Sequence, residues 1–254
     1  MAILEVNNLK KVYTTRLGGN QVEALKNLSF SVEEGEYVAI MGESGSGKTT
    51  MVLEMLMPAL QSRIDRSPQP TQVRLLEADG VSKAHLIDAT PIGANIRSTV
   101  ATYCGVHDDL RRAFAKTDAA RTIGLKAGAF SYNTGKLRCA TCDGTGSISL
   151  DVQFLPDVEI PCPDCRGSRY SREASRVAYH GKKSGADCTL PDLMAMDVTR
   201  ALEACADLKV VSQRLQVLQS LGLGYLTLGE ATPSLSGGEA QRLKLASEMG
   251  REQG

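Results

Sequence analysis

An α/β fold interrupted by a small cysteine-rich insertion is what this sequence predicts, on three observations. The stretch Gly42-Glu43-Ser44-Gly45-Ser46-Gly47-Lys48-Thr49 fits G-x-x-x-x-G-K-[ST], and it stands between an apolar run, Tyr37 to Met41, and a helix candidate, Thr50 to Leu60. Two Cys-x-x-Cys pairs, Cys139 with Cys142 and Cys162 with Cys165, are separated by nineteen residues. Leu235-Ser236-Gly237-Gly238-Glu239-Ala240-Gln241-Arg242 opens a further helix, with serine at its cap and two glycines in its first turn.

The bulk properties narrow the function classes. A chain of 254 residues holds one large or two small domains, and 42% hydrophobic content is adequate for a packed core. The formal charge is zero, which excludes bulk attraction to nucleic acid or anionic lipid and leaves only local patches. Met1 to Asn7 has no charged segment leading into a long apolar one, and no apolar run reaches membrane-spanning length, so a cytoplasmic location is expected. Four of the seven cysteines fall in C-x-x-C pairs, which favours metal binding over a disulfide framework.

Taken in order, Ile3, Val6 and Leu9, then Leu28, Phe30 and Val32, alternate as strands do, with turns at Gly18-Gly19-Asn20 and Glu33-Glu34-Gly35. The run Tyr37 to Met41 reads as the buried strand that feeds a phosphate loop. The glycines of that loop, Gly42, Gly45 and Gly47, let successive backbone N–H groups converge on phosphate oxygens, with Ser44, Ser46 and Thr50 completing the cradle. Lys48 reaches the β/γ-phosphates and Thr49 the magnesium ion, so the chain is expected to bind a nucleoside triphosphate such as ATP. Ser67 to Pro70 reads as a loop, Ala84 to Asp88 as a short strand and Asp108 to Lys116 as a helix with a basic face. Ile148, Leu150, Val152 and Phe154 alternate as a strand that ends at Pro156. Asp197 is placed to cap a helix through Ala201, Leu202 and Cys205, and Val211, Leu215, Leu218 and Leu221 form one stripe of a second. The signature segment continues as a helix through Leu243, Leu245 and Ala246, and no internal repeat is expected.

Each cysteine pair sits on a tight turn, so that four thiolates can close a tetrahedron around Zn2+; Gly144, Gly146 and Gly167 permit the sharp backbone. Such a closed site is structural, and the alternatives are a redox dithiol or free thiols. Cys104, Cys188 and Cys205 lack partners and read as ordinary small residues. Around the pairs lie Lys136, Arg138, Arg166, Arg169, Arg172 and Arg176, interleaved with Tyr132 and Tyr170, a mixture suited to phosphate contact and base stacking. Six nearby acids, among them Asp143, Asp164 and Glu173, offset that charge, so a solvated face is an equal reading.

L-S-G-G-E-A-Q-R with the upstream G-E-S-G-S-G-K-T-T resembles the ATP-binding cassette (ABC) superfamily. That resemblance implies that Ser236, Gly237, Gly238, Glu239 and Gln241 face a nucleotide held by the phosphate loop of another half. The segments Phe130 to Asn133, Arg138 to Gly146, Phe154 to Cys165 and Gly222 to Leu226 are similar to the second cassette of the UvrA family, over roughly residues 50–249. This implies ATP-dependent recognition of DNA damage in nucleotide excision repair, with damaged duplex, another UvrA-type half or homodimer partner and excision repair subunits as partners. Residues 1 to about 50, by contrast, resemble a transporter ATPase of the exporter or lipoprotein-release type, in which Tyr13 is the adenine-stacking aromatic. The chain thus reads as a hybrid whose apparent junction lies within or just after the phosphate loop.

The implied architecture is α/β, a truncated ABC-type P-loop ATPase core with an inserted zinc-binding module and a helical signature region. Its expected parts are 1–90, the ATP-binding core; 91–130, the start of a DNA-facing region; 131–188, the zinc-binding insertion; and 189–254, the helical region ending in the signature helix. Ala89 stands where the family has glutamine, and Arg97 matches a basic family position and is a candidate DNA contact. No apolar strand ending in Asp-Glu and no switch histidine follows the signature, so catalytic residues are unassigned and hydrolysis by this chain alone is not expected. Without that strand, exposed apolar surface with marginal stability or self-association is expected. The rival readings are an ATP-binding transporter subunit that needs a membrane permease, and a non-hydrolysing zinc module that binds nucleic acid.

Overall fold

The computed structural model describes residues 2–14, 21–36, 38–40, 46–71, 73, 76–78, 80–87, 92–93, 95–150, 158–183 and 185–252. They fall into two compact units, Met1–Leu86 and Ile87–Gly254.

The first unit is a long antiparallel hairpin covered by a helix. Strands β1 (Ala2–Thr14) and β2 (Gln21–Glu33) pair from Ala2↔Glu33 to Thr14↔Gln21. Register shifts interrupt the ladder, and Asn8 and Asn27 stand near them at φ 49° and 47°, a region asparagine tolerates better than most residues. Thr50–Leu56, wound at π pitch, runs straight into α1 (Met57–Ile64). Met51 and Met55 pack with Leu25, Leu9, Leu28 and Phe30 of the hairpin, which is why the alternation of those strands is apolar on one face. Ala59 and Leu60 pack instead with Leu76 and Ala78.

Two sequence expectations fail in this unit. Among the described residues of the run Tyr37 to Met41, residues 38–40 are not in a strand, and Val38 and Ile40 are 43% and 40% exposed. An apolar run becomes a buried strand only when neighbours supply both hydrogen bonds and cover, and no described strand pairs with it. Residues 84–87 likewise form no strand, while the turn at Gly18-Gly19-Asn20 lies outside the described residues.

The second unit is mainly helical: α2 (Val100–Tyr103), α3 (Val106–Phe114), α4 (Asp118–Thr122), α5 (Leu190–Ala195), α6 (Val198–Ala204), α7 (Lys209–Ser220) and α8 (Gly237–Glu252). Short polar residues start most of them. Thr99 and Thr189 make capping boxes with Thr102 and Asp192, and Asp197 accepts from the Arg200 N–H at 2.8 Å as its position predicts. Val211, Leu215 and Leu218 of α7 are buried with Leu110, Phe114, Leu190, Leu223 and Leu243 in one core, and Cys104, Cys188 and Cys205 are small members of it. The basic face expected on α3 is tempered, because Arg111 and Arg112 pair with Asp108 and Asp109 one turn earlier.

Two further strand pairings organise the cysteine region. Strands β3 (Ser147–Leu150) and β4 (Val158–Pro161) form a hairpin in the register Ser147↔Pro161, and β5 (Ala178–His180) pairs with β6 (Asp187–Thr189). The expected strand through Val152 and Phe154 is therefore seen only to Leu150; the rest lies outside the described residues. Among the described residues no helix is long and apolar enough to cross a membrane.

Candidate metal and nucleotide sites

The β3–β4 hairpin is the device that brings the cysteine pairs together. Its register sets Gly146 against Cys162, whose N–H donates to the Gly146 carbonyl at 2.9 Å. On the far side the Cys139 N–H donates to the Arg169 carbonyl at 2.9 Å, and Ser171 N–H to Leu137 at 2.8 Å. The knuckles are copies of one another. Asp143 and Arg166 both adopt positive φ (51° and 50°), each followed by a left-handed glycine, Gly144 and Gly167. The Thr145 N–H then returns to the Cys142 carbonyl, and the Ser168 N–H to that of Cys165, both at 3.0 Å. This short repeat, C-x-x-C-x-G-[TS], corrects the expectation of none and was visible in the residues themselves.

The four sulfurs lie within 4.8 Å of one another. Cys139 Sγ is 3.8 Å from Cys162 Sγ, and Cys142 Sγ is 3.6 Å from Cys165 Sγ. Four sulfurs at the Zn–S distance of about 2.3 Å on a tetrahedron stand about 3.8 Å apart. Geometry and donor softness therefore fit a closed structural Zn2+ site. Close approaches cross from one pair to the other and all four sulfurs share one cluster, which favours a shared ion over a C-x-x-C redox dithiol. Burial pushes the Cys165 thiol up to about 12. Burial acts on Cys142 in the same direction, but the Gly146 N–H at 3.3 Å and the Cys165 thiol outweigh it and bring Cys142 to about 7.

The polar residues around the knot divide into two groups. Lys136 and Arg166 are exposed, as nucleic-acid candidates should be. Arg169 is not: it is 6% exposed, its guanidinium lies 5.3 Å from the Tyr132 ring centroid, and Nη1 donates to the Ile96 carbonyl at 3.0 Å. It holds the loop before α2 against the first knuckle. Tyr132 and Tyr170, expected to stack on bases, are fully buried, with ring centroids 5.9 Å apart and edge to face. Apolar cover with a satisfied hydroxyl explains the difference, since Tyr132 Oη donates to the Arg97 carbonyl at 3.0 Å and Tyr170 Oη to that of Phe130 at 3.0 Å.

The sequence reading passed over two residues here. His107 on α3 is 3% exposed, with Nε2 2.7 Å from Tyr170 Oη, and burial lowers it to about 4, so it is neutral. Asp143 was counted only as an offsetting charge, yet it ion-pairs with both Arg97 and Arg138.

In the unit Met1–Leu86, Gly42, Ser44 and Gly45 of the phosphate loop lie outside the described residues. Ser46, Gly47, Lys48, Thr49 and Thr50 are described: Lys48 Nζ donates to Ser46 Oγ at 3.1 Å, and the Met51 N–H returns to the Gly47 carbonyl at 2.9 Å. Tyr13 Oη bonds Thr50 Oγ1 at 2.9 Å and Glu54 Oε2 at 2.7 Å, which fixes the ring beside the first helical turn. In the other unit, the Ser236 N–H donates to Glu239 Oε2 at 2.7 Å, and Tyr225 Oη holds the other carboxylate oxygen at 2.5 Å. Gln241 is half-buried, whereas Ser236, Gly237 and Gly238 are exposed, and a Cβ at either glycine would meet no atom within 4 Å. The start of α8 thus presents uncovered backbone N–H groups, as an anion-binding helix terminus does.

Residues 25–82 match a family model described as ABC transporter. The chain is 41% identical to UvrABC system protein A of Thermus thermophilus over 238 residues, covering 93% of this chain and 24% of that protein. With the Bacillus subtilis protein of the same name it is 42% identical over 227 residues, 89% of this chain and 23% of that one. The crystal structure of UvrA2 from Deinococcus radiodurans superposes with a TM-score of 0.73 at 36% identity, covering 98% of this chain and 28% of that chain. The match to a Staphylococcus epidermidis relative covers 97% of this chain, so UvrA likeness extends through the first fifty residues, where the ABC transporter model also begins to match. The chain spans about a quarter of the length of the curated relatives it matches. The chain, of mixed helix and strand, is thus similar to UvrA-type sequences over nearly its whole length, with its four-cysteine cluster set in the chain between the G-x-x-x-x-G-K-T and LSGGE segments.

Proposed function

We propose that this chain is the nucleotide- and zinc-holding part of an ATP-dependent DNA-damage-recognition protein of nucleotide excision repair. One observation carries the reading: a sulfur cluster of tetrahedral spacing lies between the phosphate loop and the LSGGE helix of a chain that is UvrA-like over 93% of its length. Lys48 and Thr49, with the loop residues Gly42 to Gly47 and Thr50, hold ATP and Mg2+, and Tyr13 lies against the base. Bound Mg2+ neutralises phosphate charge, and Lys48 adds its own to the same oxygens. Ser236 and the N–H groups of Gly237 and Gly238 offer a second cradle to a nucleotide on another UvrA-type half or a second copy. The four cysteines hold one Zn2+, which fixes the insertion so that Arg97, Lys136, Arg138 and Arg166 meet DNA. Excision repair subunits are the further partners, and the cytoplasm is the place of action.

The test uses the zinc-loaded chain with Mg-ATP and two duplexes, one lesion-bearing and one intact. An ATP-dependent preference for the lesion, lost in Lys48→Ala, is the expected result. Salt-sensitive DNA binding indifferent to ATP and to Lys48 would reduce the reading to a zinc module that grips nucleic acid. The ABC transporter match over residues 25–82 favours a second reading, a transporter ATPase subunit. Co-purification with a membrane permease and no binding to either duplex would decide for it.

A further inference from the structure

Arg97 and Arg138 come from separate segments and converge on one carboxylate, that of Asp143. Arg97 Nη2 stands 3.0 Å from Asp143 Oδ2 and Arg138 Nη1 2.8 Å from Asp143 Oδ1, so each oxygen has its own guanidinium. Arg97 Nη1 also donates to the Asp143 carbonyl at 2.6 Å. All three side chains are open to solvent, at 32%, 41% and 54% exposure. The buried Arg169 behind them is engaged with the Ile96 and Gly144 carbonyls, so the exposed trio carries two positive charges against one negative. Asp143 holds this place from a left-handed backbone, φ 51°, dictated by the knuckle turn. Two guanidiniums splitting the oxygens of one anion is the arrangement that suits a phosphodiester.

We propose that Arg97 and Arg138 form a phosphate-binding clamp for duplex DNA which Asp143 occupies as an internal stand-in, so that DNA engages the zinc knuckle only by displacing that carboxylate. The inference rests on the DNA reading above and gives it a residue-level gate. Arg97 then connects the clamp to the signature: Ser98 accepts from the Thr232 N–H at 2.9 Å, and Thr99 is bridged to Ala231, a few residues before Ser236. Capture of Arg97 by a phosphate therefore acts on the segment that leads into the nucleotide-facing helix.

The experiment measures affinity of the full zinc-loaded chain for an undamaged duplex across a salt series, beside zinc content. Asp143→Asn and Asp143→Gly both suit the left-handed backbone, and each leaves all four cysteines in place. Both are expected to retain zinc and to bind duplex roughly three- to tenfold more tightly, since exposed ion pairs are individually weak. Adding Arg97→Ala and Arg138→Ala to Asp143→Asn should abolish the gain and shallow the salt slope by about two charges. Equal affinity of wild type, Asp143→Asn and Asp143→Gly, with zinc retained, overturns the gate and leaves DNA binding standing. Failure of all the proteins to bind duplex overturns the DNA reading and the clamp together.

Discussion

Adding one methyl group at each of the two equivalent knuckle glycines should separate a steric limit from a conformational one. Gly144 and Gly167 occupy the same place in the repeat, at φ 79° and 89°. A Cβ at Gly167 would meet nothing within 4 Å, so Gly167→Ala bears only the left-handed penalty, roughly 1–2 kcal/mol. A Cβ at Gly144 would lie 1.8 Å from the Tyr132 carbonyl oxygen and 2.9 Å from its carbon, both backbone atoms under a fully buried side chain. The knuckle would have to retreat from the 131–134 turn, breaking the Arg97 bond to the Asp143 carbonyl and the Arg169 bond to that of Gly144. Overpacking of this kind adds about 1–3 kcal/mol, so Gly144→Ala should cost roughly 2–5 kcal/mol in total. Urea unfolding of the zinc-loaded chain, followed by helical circular dichroism with zinc release read by a chromophoric chelator, measures both variants. Equal losses for the two alanines would refute the proposed contact between knuckle and turn.

Other outcomes follow from the same packing. Cys142→Ser should take the chain from one bound zinc to nearly none, because the closed site has no ligand to spare; metal analysis after gel filtration checks it. His107 lies near 4 in the folded chain, chiefly through burial and then through the charge of Arg111, against about 6.5 unfolded. The unfolded state binds the extra proton between those values, so stability is lost as pH falls from about 6.5 toward about 4, by up to about 3 kcal/mol. His107→Gln, which can still bond Tyr170 without titrating, should flatten the pH profile of urea midpoints over that range. Arg169→Met should cost roughly 2–3 kcal/mol by leaving the Ile96 and Gly144 carbonyls unpaired, while the salt slope of DNA binding stays unchanged.

Where a pattern is satisfied by its own neighbours in the chain, the reading of residues and the structure agree. Asp197 caps α6 because its carboxylate needs only the N–H of Arg200. Ser236 and Glu239 reciprocate within one turn, and the C-x-x-C spacing places two sulfurs on each knuckle. The Val211, Leu215, Leu218 stripe faces the core because the other face of α7 is polar. The failures are all cases where a distant partner decides. Val38 and Ile40 are as apolar as any core strand, yet nothing described pairs with them or covers them. Tyr132, Tyr170 and Arg169 have the chemistry of a nucleic-acid surface or a solvated face, the two readings the sequence leaves open, but α3 and the loop before α2 close over them.

Residue order alone carried the local motifs: a G-x-x-x-x-G-K-T stretch, a capped glycine-rich helix start, two cysteine turns, and the family to which their succession points. Those features depend on contacts within a few residues, where backbone geometry follows from residue type. Whether four sulfurs meet, which arginines stay in water and which are sealed inside, and that Asp143 sits between Arg97 and Arg138, depended on the β3–β4 register and on helices far away in the chain. Burial and ion pairing across such separations are properties of the packed molecule, and a single side chain of either sign or polarity carries no record of the partner that will reach it.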